Sequence, residues 1–430
     1  MVVLTAPKNC PVVLLVLAKK QRGRPIGCGM RVLSVFGTRP EALKMAPVIA
    51  LLNREPSVSS IVCVTGQHRE MLDQVLSLFH IRADHDLDLM RPNQPLNELA
   101  ARAIAALDPI VAAEKPDVIL VHGDTTTAMV AAIVAFHRQI PVGHVEAGLR
   151  TYDLTQPWPE EFNRRVVDVV ATLLFAPTPL AKTNLMSERT QGRIIITGNT
   201  VIDALNAVIR LIDADHDRLS ALDDKFSYLA PDRRLLLVTG HRRENFGGGF
   251  ENICAALADL SLRPDLDIVY PVHLNPNVRK PVMQALAGRG NVHLIDPLDY
   301  LEFVHLMRRA SIVLTDSGGI QEEAPSLGIP VLVMRDVTER PEAIESGAVK
   351  LVGTDKGRIV GNVATLLDDA ASYDAMAHST NPYGDGYAAE RIVNSLLGRA
   401  IEEYSPAQKA RTGPLLQSEQ ALRPPARQLS

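Results

Sequence analysis

Hydrophobic residues in this chain fall in short unbroken runs rather than in strict alternation. From Arg31 onward the runs 32–36, 61–65, 118–121 and 142–145 are separated by stretches of helical composition, and the rhythm continues through a helix near 162–170 and strands near 173–175 and 194–197. Unbroken apolar strands are buried on both faces, and strands that alternate with crossover helices build a parallel sheet covered by helices. A second series of the same kind runs through 235–239, 268–271, 292–295, 312–315, 331–334 and 349–352. The expectation is an α/β protein of two doubly wound domains, 31–200 and 201–386. They would face each other across a cleft into which the carboxyl-end loops of both sheets open. After the turn at 381–386 a last helix is expected at 387–404. The tail 405–430, rich in Pro, Gln and Arg, reads as disordered.

The apolar run 11–18 changes little in this picture. It is shorter than the roughly 20 residues that a bilayer span needs, and its basic neighbours Lys19, Lys20, Arg22 and Arg24 follow it, the reverse of a secretory signal. Residues 1–30 are expected to be a dispensable extension, with Met30 a natural start. The length of 430 residues suits two domains with a core each. A net charge of −4 offers no basic field for nucleic acid, so an anionic ligand would depend on local Arg and Lys. Cys10, Cys28, Cys63 and Cys254 show no ligand-like spacing, which argues for a reducing cytoplasm and against a zinc site or disulfide frame.

Chemistry concentrates in loops that follow strands. In 312–342, Ser317, Gly318 and Gly319 would leave the first N–H groups of a following helix open to an anion, such as a diphosphate. Glu323, about one turn further in, could accept hydrogen bonds from neighbouring sugar hydroxyls such as those of a ribose. The next strand delivers Arg335, Asp336, Thr338, Glu339 and Arg340 to the same edge. Arg39 follows the first strand and Lys44 lies on the helix after it, with too little glycine for a dinucleotide fingerprint. Asp124 in VHGDTTT, Glu146 in GHVEAGLR, and Glu160, Glu161 and Arg164 beside the lone Trp158 sit on the same expected edge. Each carboxylate alone reads first as a helix cap or an ion-pair partner; carboxylates at three places on the same edge point to acid/base work. His241, Arg242 and Arg243 suit a diphosphate by charge and donor geometry.

Taken in order, FGTRPEALKMAP, TGQHREMLDQVL, VHGDTTT, GHVEAGLRTYD, PWPEEFNRR, TGNTVIDAL, TGHRRENFG, YPVHLNPNVR, LTDSGGIQEEAPSLG, RDVTERPEA and NPYGDG make residues 31–404 resemble the bacterial non-hydrolysing UDP-N-acetylglucosamine 2-epimerases. The resemblance implies two Rossmann-like domains of glycosyltransferase-B type, with the last helix completing the first domain, and a homodimer. It also implies interconversion of UDP-GlcNAc and UDP-ManNAc with no cofactor and no metal. Carried over by position, Asp124, Glu146, Glu160 and His241 are the expected catalytic residues, and Arg39, Lys44 and Arg164 lie with them around sugar and diphosphate. Ser317, Gly318, Gly319, Glu323 and Arg340 would bind the nucleotide, with Phe303 near the uracil. Leu298 stands where some members have Gln, so its contact would come from its backbone. Gln67, Arg242 and His273 correspond to contacts of a second, allosteric UDP-GlcNAc. Two other classes share features: a glycosyltransferase, which needs an acceptor site, and a hydrolysing epimerase, which releases free sugar and UDP.

Overall fold

The computed structural model describes residues 29–406 apart from 67, 68, 92, 93 and 339. The expectations for the extension up to residue 28 and for the tail from 407 lie outside the described residues.

Among the described residues seven strands form the first sheet: β1 (Met30–Phe36), β2 (Val58–Val64), β3 (His85–Asp86), β4 (Val118–His122), β5 (Val142–Val145), β6 (Leu173–Ala176) and β7 (Arg193–Ile196). Six form the second: β8 (Arg234–Thr239), β9 (Leu266–Pro271), β10 (Val292–Ile295), β11 (Ile312–Thr315), β12 (Val331–Val333) and β13 (Val349–Leu351). The orders are β3-β2-β1-β4-β5-β6-β7 and β10-β9-β8-β11-β12-β13, with every pairing parallel. Each sheet thus starts in its middle and grows outward both ways. The loops after β1 and β4, and after β8 and β11, flank the two points where strand order reverses, which is where such sheets bind ligands. Composition explains why the central strands lie where they do, since Val32, Leu33, Val35, Phe36, Ile312, Val313 and Leu314 are fully buried. The two-residue β3 carries no apolar run, and the hydrophobic pattern of the chain shows no sign of it.

Helix Arg39–Arg54 starts at a capping box between Thr38 and Glu41, with Pro40 in its first turn. It packs against helix Thr200–Asp213 and against the last helix. That last helix spans Ala388–Leu396, not 387–404. Gly398 takes a left-handed φ of 68°, its N–H bonds to Ser395 O and that of Arg399 to Asn394 O, a Schellman stop that only a residue tolerant of this conformation makes easily. The chain beyond has no regular structure, and Tyr404 ties it down through its N–H to Ile196 O at 2.8 Å and its hydroxyl to Asn381 O at 2.9 Å. At the other end of the helix, buried Asp203 accepts the N–H groups of Ala388 and Ala389 at 3.2 and 2.9 Å. Among the described residues no helix is long and apolar enough to cross a membrane.

Candidate active site

Between the two sheets lies a cavity of about 1540 Å³, larger than the roughly 300–1,000 Å³ usual for a single small ligand. From the first domain Arg39, Lys44, Asp124, Glu146, Glu160 and Arg164 line it. From the second come His241, Arg242, His273, Leu298, Phe303, Ser317, Gly319, Glu323 and Arg340. Gly318 sits beneath Arg340: a Cβ there would lie 2.5 Å from a guanidinium nitrogen. The expectation for Gln67 lies outside the described residues.

The loop after β1 is drawn tight by groups the sequence did not single out. The hydroxyls of Thr65 and Thr127 bond at 2.9 Å directly over Gly37, where a Cβ would come within 2.0 Å of Thr65 Oγ1. Glu41, fully buried, accepts the N–H groups of Gly37 and Thr38 at 3.0 and 2.8 Å and the Thr125 hydroxyl at 2.6 Å. One carboxylate therefore joins the loop of Arg39 to the loop of Asp124. Arg39, at the first position of its helix, makes no ion pair among the described residues.

Asp124 follows Gly123, which has a φ of 63°. Its carboxylate is gripped by Arg164 through Nε at 3.0 Å and through Nη2. Glu161 is a structural partner: wholly buried, it accepts Arg164 Nη1 at 3.1 Å and the N–H of Thr151 at 3.0 Å. Its neighbour Glu160 faces the cleft, and burial, with the negative charge of Asp124, raises its carboxyl above the usual range. Beneath both loops His144 donates through Nε2 to Gly123 O at 2.8 Å and pairs through Nδ1 with Asp168 at 2.6 Å. Asp168 in turn accepts the N–H of Gly148 at 3.3 Å. This pair braces the turns that carry Asp124 and Glu146.

Glu146 is held in the left-handed region with a φ of 68°, a costly conformation for a side chain of this kind and one that concentrates at functional sites. Its Oε2 meets Lys44 Nζ and accepts Asn199 Nδ2 at 2.8 Å. The same Lys44 nitrogen lies 3.1 Å from Glu322 Oε2, and Asn199 reaches that oxygen too, at 3.2 Å. Glu322 completes the chain by accepting Arg340 Nε at 2.7 Å through its other oxygen. The network thus runs from the first domain through Asn199 into the second. Burial would raise the Glu146 carboxyl, but Lys44 and His122 outweigh it and hold the group well below the usual range. Burial would likewise lower Lys44, and Glu146 with Glu322 keeps it raised. Glu146 and Lys44 are both charged.

On the second domain Asp316, fully buried at the end of β11, organises the loop after β8. It accepts the N–H groups of His241 and Arg242 at 2.8 Å each through one oxygen, while its backbone carbonyl takes Arg242 Nε at 3.0 Å. His241 stands in the cleft, stacked on His273 with ring centroids 5.5 Å apart. The helix expected to follow Ser317, Gly318 and Gly319 begins at Gly318 itself, and after Glu323 it tightens into a 3₁₀ turn, Ala324–Leu327. Six residues sum to only a small dipole, so what this end offers an anion is its open N–H groups, which the Ser317 side chain does not cap. Glu323 is buried, accepts the Tyr300 hydroxyl at 2.7 Å, and is pushed up to about 7 by that burial.

Two sheets of this order sharing one cleft, with loop cations and a glycine-rich helix start facing a row of carboxylates, define a nucleotide-sugar enzyme of glycosyltransferase-B-like fold. The pattern of the family described as UDP-N-acetylglucosamine 2-epimerase matches residues 50–397. The UDP-N-acetylglucosamine 2-epimerase of Yersinia pestis is 56% identical over 374 residues, 86% of this chain and 100% of that one. The chain belongs to the UDP-N-acetylglucosamine 2-epimerase family and is an isomerase of that class. Among solved structures, the UDP-GlcNAc 2-epimerase of Neisseria meningitidis bound to UDP-GlcNAc is 51% identical, with a TM-score of 0.81 over 86% of this chain and 100% of that one. The Methanocaldococcus jannaschii enzyme in complex with UDP-GlcNAc and UDP is 31% identical, with a TM-score of 0.73 over 86% and 100%.

Glu323 yields a test. Sugar hydroxyls that donate to it favour its ionised form, so such a ligand lowers a carboxyl that starts at about 7. Affinity for UDP-GlcNAc is then expected to fall as pH drops through neutrality and to level off on the alkaline side. Calorimetric titration across neutral pH checks this, and Glu323→Gln should flatten the profile.

Proposed function

We propose that this chain interconverts UDP-GlcNAc and UDP-ManNAc by eliminating UDP and adding it back, without hydrolysis. The observation that carries this reading is that Asp124, Glu146 and Glu160 line one cleft together with Arg39, Lys44 and His241, with Glu146 held below the usual carboxylate range and Glu160 raised above it. Such a split is how one site holds a base and an acid together. The C2–H of the sugar is poorly acidic because no carbonyl adjoins it, so direct deprotonation is implausible. Loss of UDP from C1 with the C2 proton gives 2-acetamidoglucal; protonation of C2 from the other face and return of UDP to C1 gives the epimer. In one direction ionised Glu146 takes the proton and Glu160 supplies the other, with Asp124, gripped by Arg164, between the two roles. Arg39, Lys44 and His241 stabilise the diphosphate as negative charge develops on it, and the open N–H groups behind Ser317, Gly318 and Gly319 hold it while the glucal is free. Arg340 covers Gly318 beside the phosphates, Glu323 takes the ribose, and Phe303 with the backbone of Leu298 holds the uracil. The bound UDP-GlcNAc of the Neisseria meningitidis relative supports the substrate.

The same proposal includes a domain division at about residue 200, with the last helix completing the first domain, supported by its packing on helix Arg39–Arg54. It includes a homodimer, favoured by Phe136, Phe162 and Val169, exposed on the neighbouring helices Thr126–His137 and Glu160–Val170. A cytoplasmic location rests on the cysteine pattern. It also includes a second UDP-GlcNAc beside the first, touching Arg242 and His273, for which the size of the cavity leaves room.

Incubation with UDP-GlcNAc alone, read by NMR, separates the classes: UDP-ManNAc appears if the proposal holds, free ManNAc with UDP if the enzyme hydrolyses, and nothing if it is a transferase waiting for an acceptor. Asp124→Asn, Glu146→Gln and Glu160→Gln are each expected to lose about a hundredfold to ten-thousandfold in kcat, read on protein whose circular dichroism shows it folded, since Glu146→Gln also takes a charge partner from Lys44. A variant that keeps near-normal turnover removes its residue from the chemistry. If a second UDP-GlcNAc favours the productive state, purified UDP-ManNAc should turn over only after a lag that traces of UDP-GlcNAc abolish. A full initial rate would reject the second site.

A further inference from the structure

Asp316 follows β11 and is fully buried, behind the residues that line the cleft. Its two oxygens are used unequally. Oδ2 accepts the N–H groups of His241 and Arg242 and, at 3.3 Å, Nδ2 of Asn245, whereas Oδ1 is buried with no hydrogen-bond partner. A buried carboxylate oxygen left bare is costly and calls for an explanation. Two donors nearby are spent elsewhere: the Tyr270 hydroxyl bonds Gly240 O at 2.9 Å, and Arg242 Nε bonds the backbone carbonyl of Asp316 at 3.0 Å. What faces Oδ1 is Nδ1 of His241, 3.6 Å away on a side chain that is 47% exposed. That distance is too long for a hydrogen bond, and a small rotation of the exposed ring closes it.

We infer that Asp316 is a positioning residue for His241: its bare oxygen accepts the Nδ1–H of the imidazolium, and the ring then points its Nε2–H at the diphosphate that leaves C1. The inference rests on the reading of His241 as a group that stabilises the departing UDP. Nδ1 is the ring nitrogen next to Cβ and Nε2 the far one. A carboxylate that holds the first from behind therefore sends the second outward into the cleft, which His241 lines. A ring free to turn spends part of its time aimed away, and a donor stabilises developing charge best when it needs no reorganisation. The same carboxylate already fixes the N–H of His241, so main chain and ring are held from one point. An imidazolium between a carboxylate and a diphosphate has an anion on each side, and charge-assisted bonds of this kind are the strong ones. Across the stack lies His273, whose imidazole is lowered by burial and by the charge of His241, so the stacked pair holds one positive charge and not two. Asp316 neither gives nor takes a proton in this role.

Nitrogen-15 and proton NMR of the histidines tests this on the intact enzyme, with the His241 signals assigned by their absence from His241→Ala. In the UDP complex Nδ1 of His241 is expected to carry a proton shifted strongly downfield, as in a hydrogen bond to a carboxylate. Absence of that proton overturns the inference whether or not any variant folds. Asp316→Asn keeps one oxygen for the N–H groups of His241 and Arg242 and turns an amide N–H, in place of a lone pair, toward the ring. The downfield proton should vanish, and kcat should fall roughly tenfold to a hundredfold, short of the full cost of losing a donor to developing charge, with KM for UDP-GlcNAc little changed. In the His241→Ala background the same substitution should cost nothing further, since residues that act as a unit are not additive. Wild-type kcat in Asp316→Asn, or losses that multiply in the double variant, overturns the inference. So does a rise in KM with kcat held, which would leave Asp316 as a brace for the loop alone. If His241→Ala keeps wild-type turnover, the reading of His241 falls first; if it loses turnover while Asp316→Asn does not, only the role of Asp316 falls.

Discussion

The position of Lys44 between two carboxylates from different domains is the constraint on which this site depends. Lys44, Glu146 and Glu322 have side chains at most a tenth exposed, and charges removed from water in this way persist only when paired and hydrogen-bonded. Glu322 can meet Lys44 and Asn199 only while the second domain lies against the first, so the two domains share one set of counter-charges. Taking away one partner of a buried pair typically costs about 3–5 kcal/mol, because the other is left uncompensated. The two domains are thus held together by the groups that also set the charge of Glu146.

From that clamp the chemistry spreads outward. Glu146 is ionised because its cation is beside it, in a backbone conformation that aims it at the cleft. Glu160, half-buried and facing the charge of Asp124, is pushed the other way. The difference comes from surroundings and not from residue type, as the opposite roles proposed for the two glutamates require. Parallel sheets that begin in the middle explain why these groups converge, since the loops after β1 and β4, and after β8 and β11, flank the points where strand order reverses and a crevice opens.

Much of this is legible in the chain because it is local. Runs such as 118–121 and 312–315 declare buried strands, and the loops after them carry the residues that face the cleft. What stays hidden depends on partners far away in sequence. Glu322 reads as one more polar residue beside Glu323 until Lys44, Asn199 and Arg340 are seen around it. Asp316 looks like a turn residue, yet its carboxylate fixes a loop some 70 residues earlier, bonding His241 and Arg242. Glu41 reads as a helix cap, which it is, but no pattern shows that its second oxygen holds Thr125. The last helix ends earlier than its composition suggests for a local reason: helix-forming residues continue past Leu396, and the left-handed turn at Gly398 overrides them.

The elimination route itself is tested most directly by running the epimerisation in deuterated water and reading C2 by NMR. If an exchangeable side chain takes the proton, the UDP-ManNAc formed carries deuterium at C2 and unreacted UDP-GlcNAc gains it no faster than the reverse reaction allows. Retention of the original hydrogen at C2 throughout would mean an internal transfer, and would contradict an acid/base role for the cleft carboxylates.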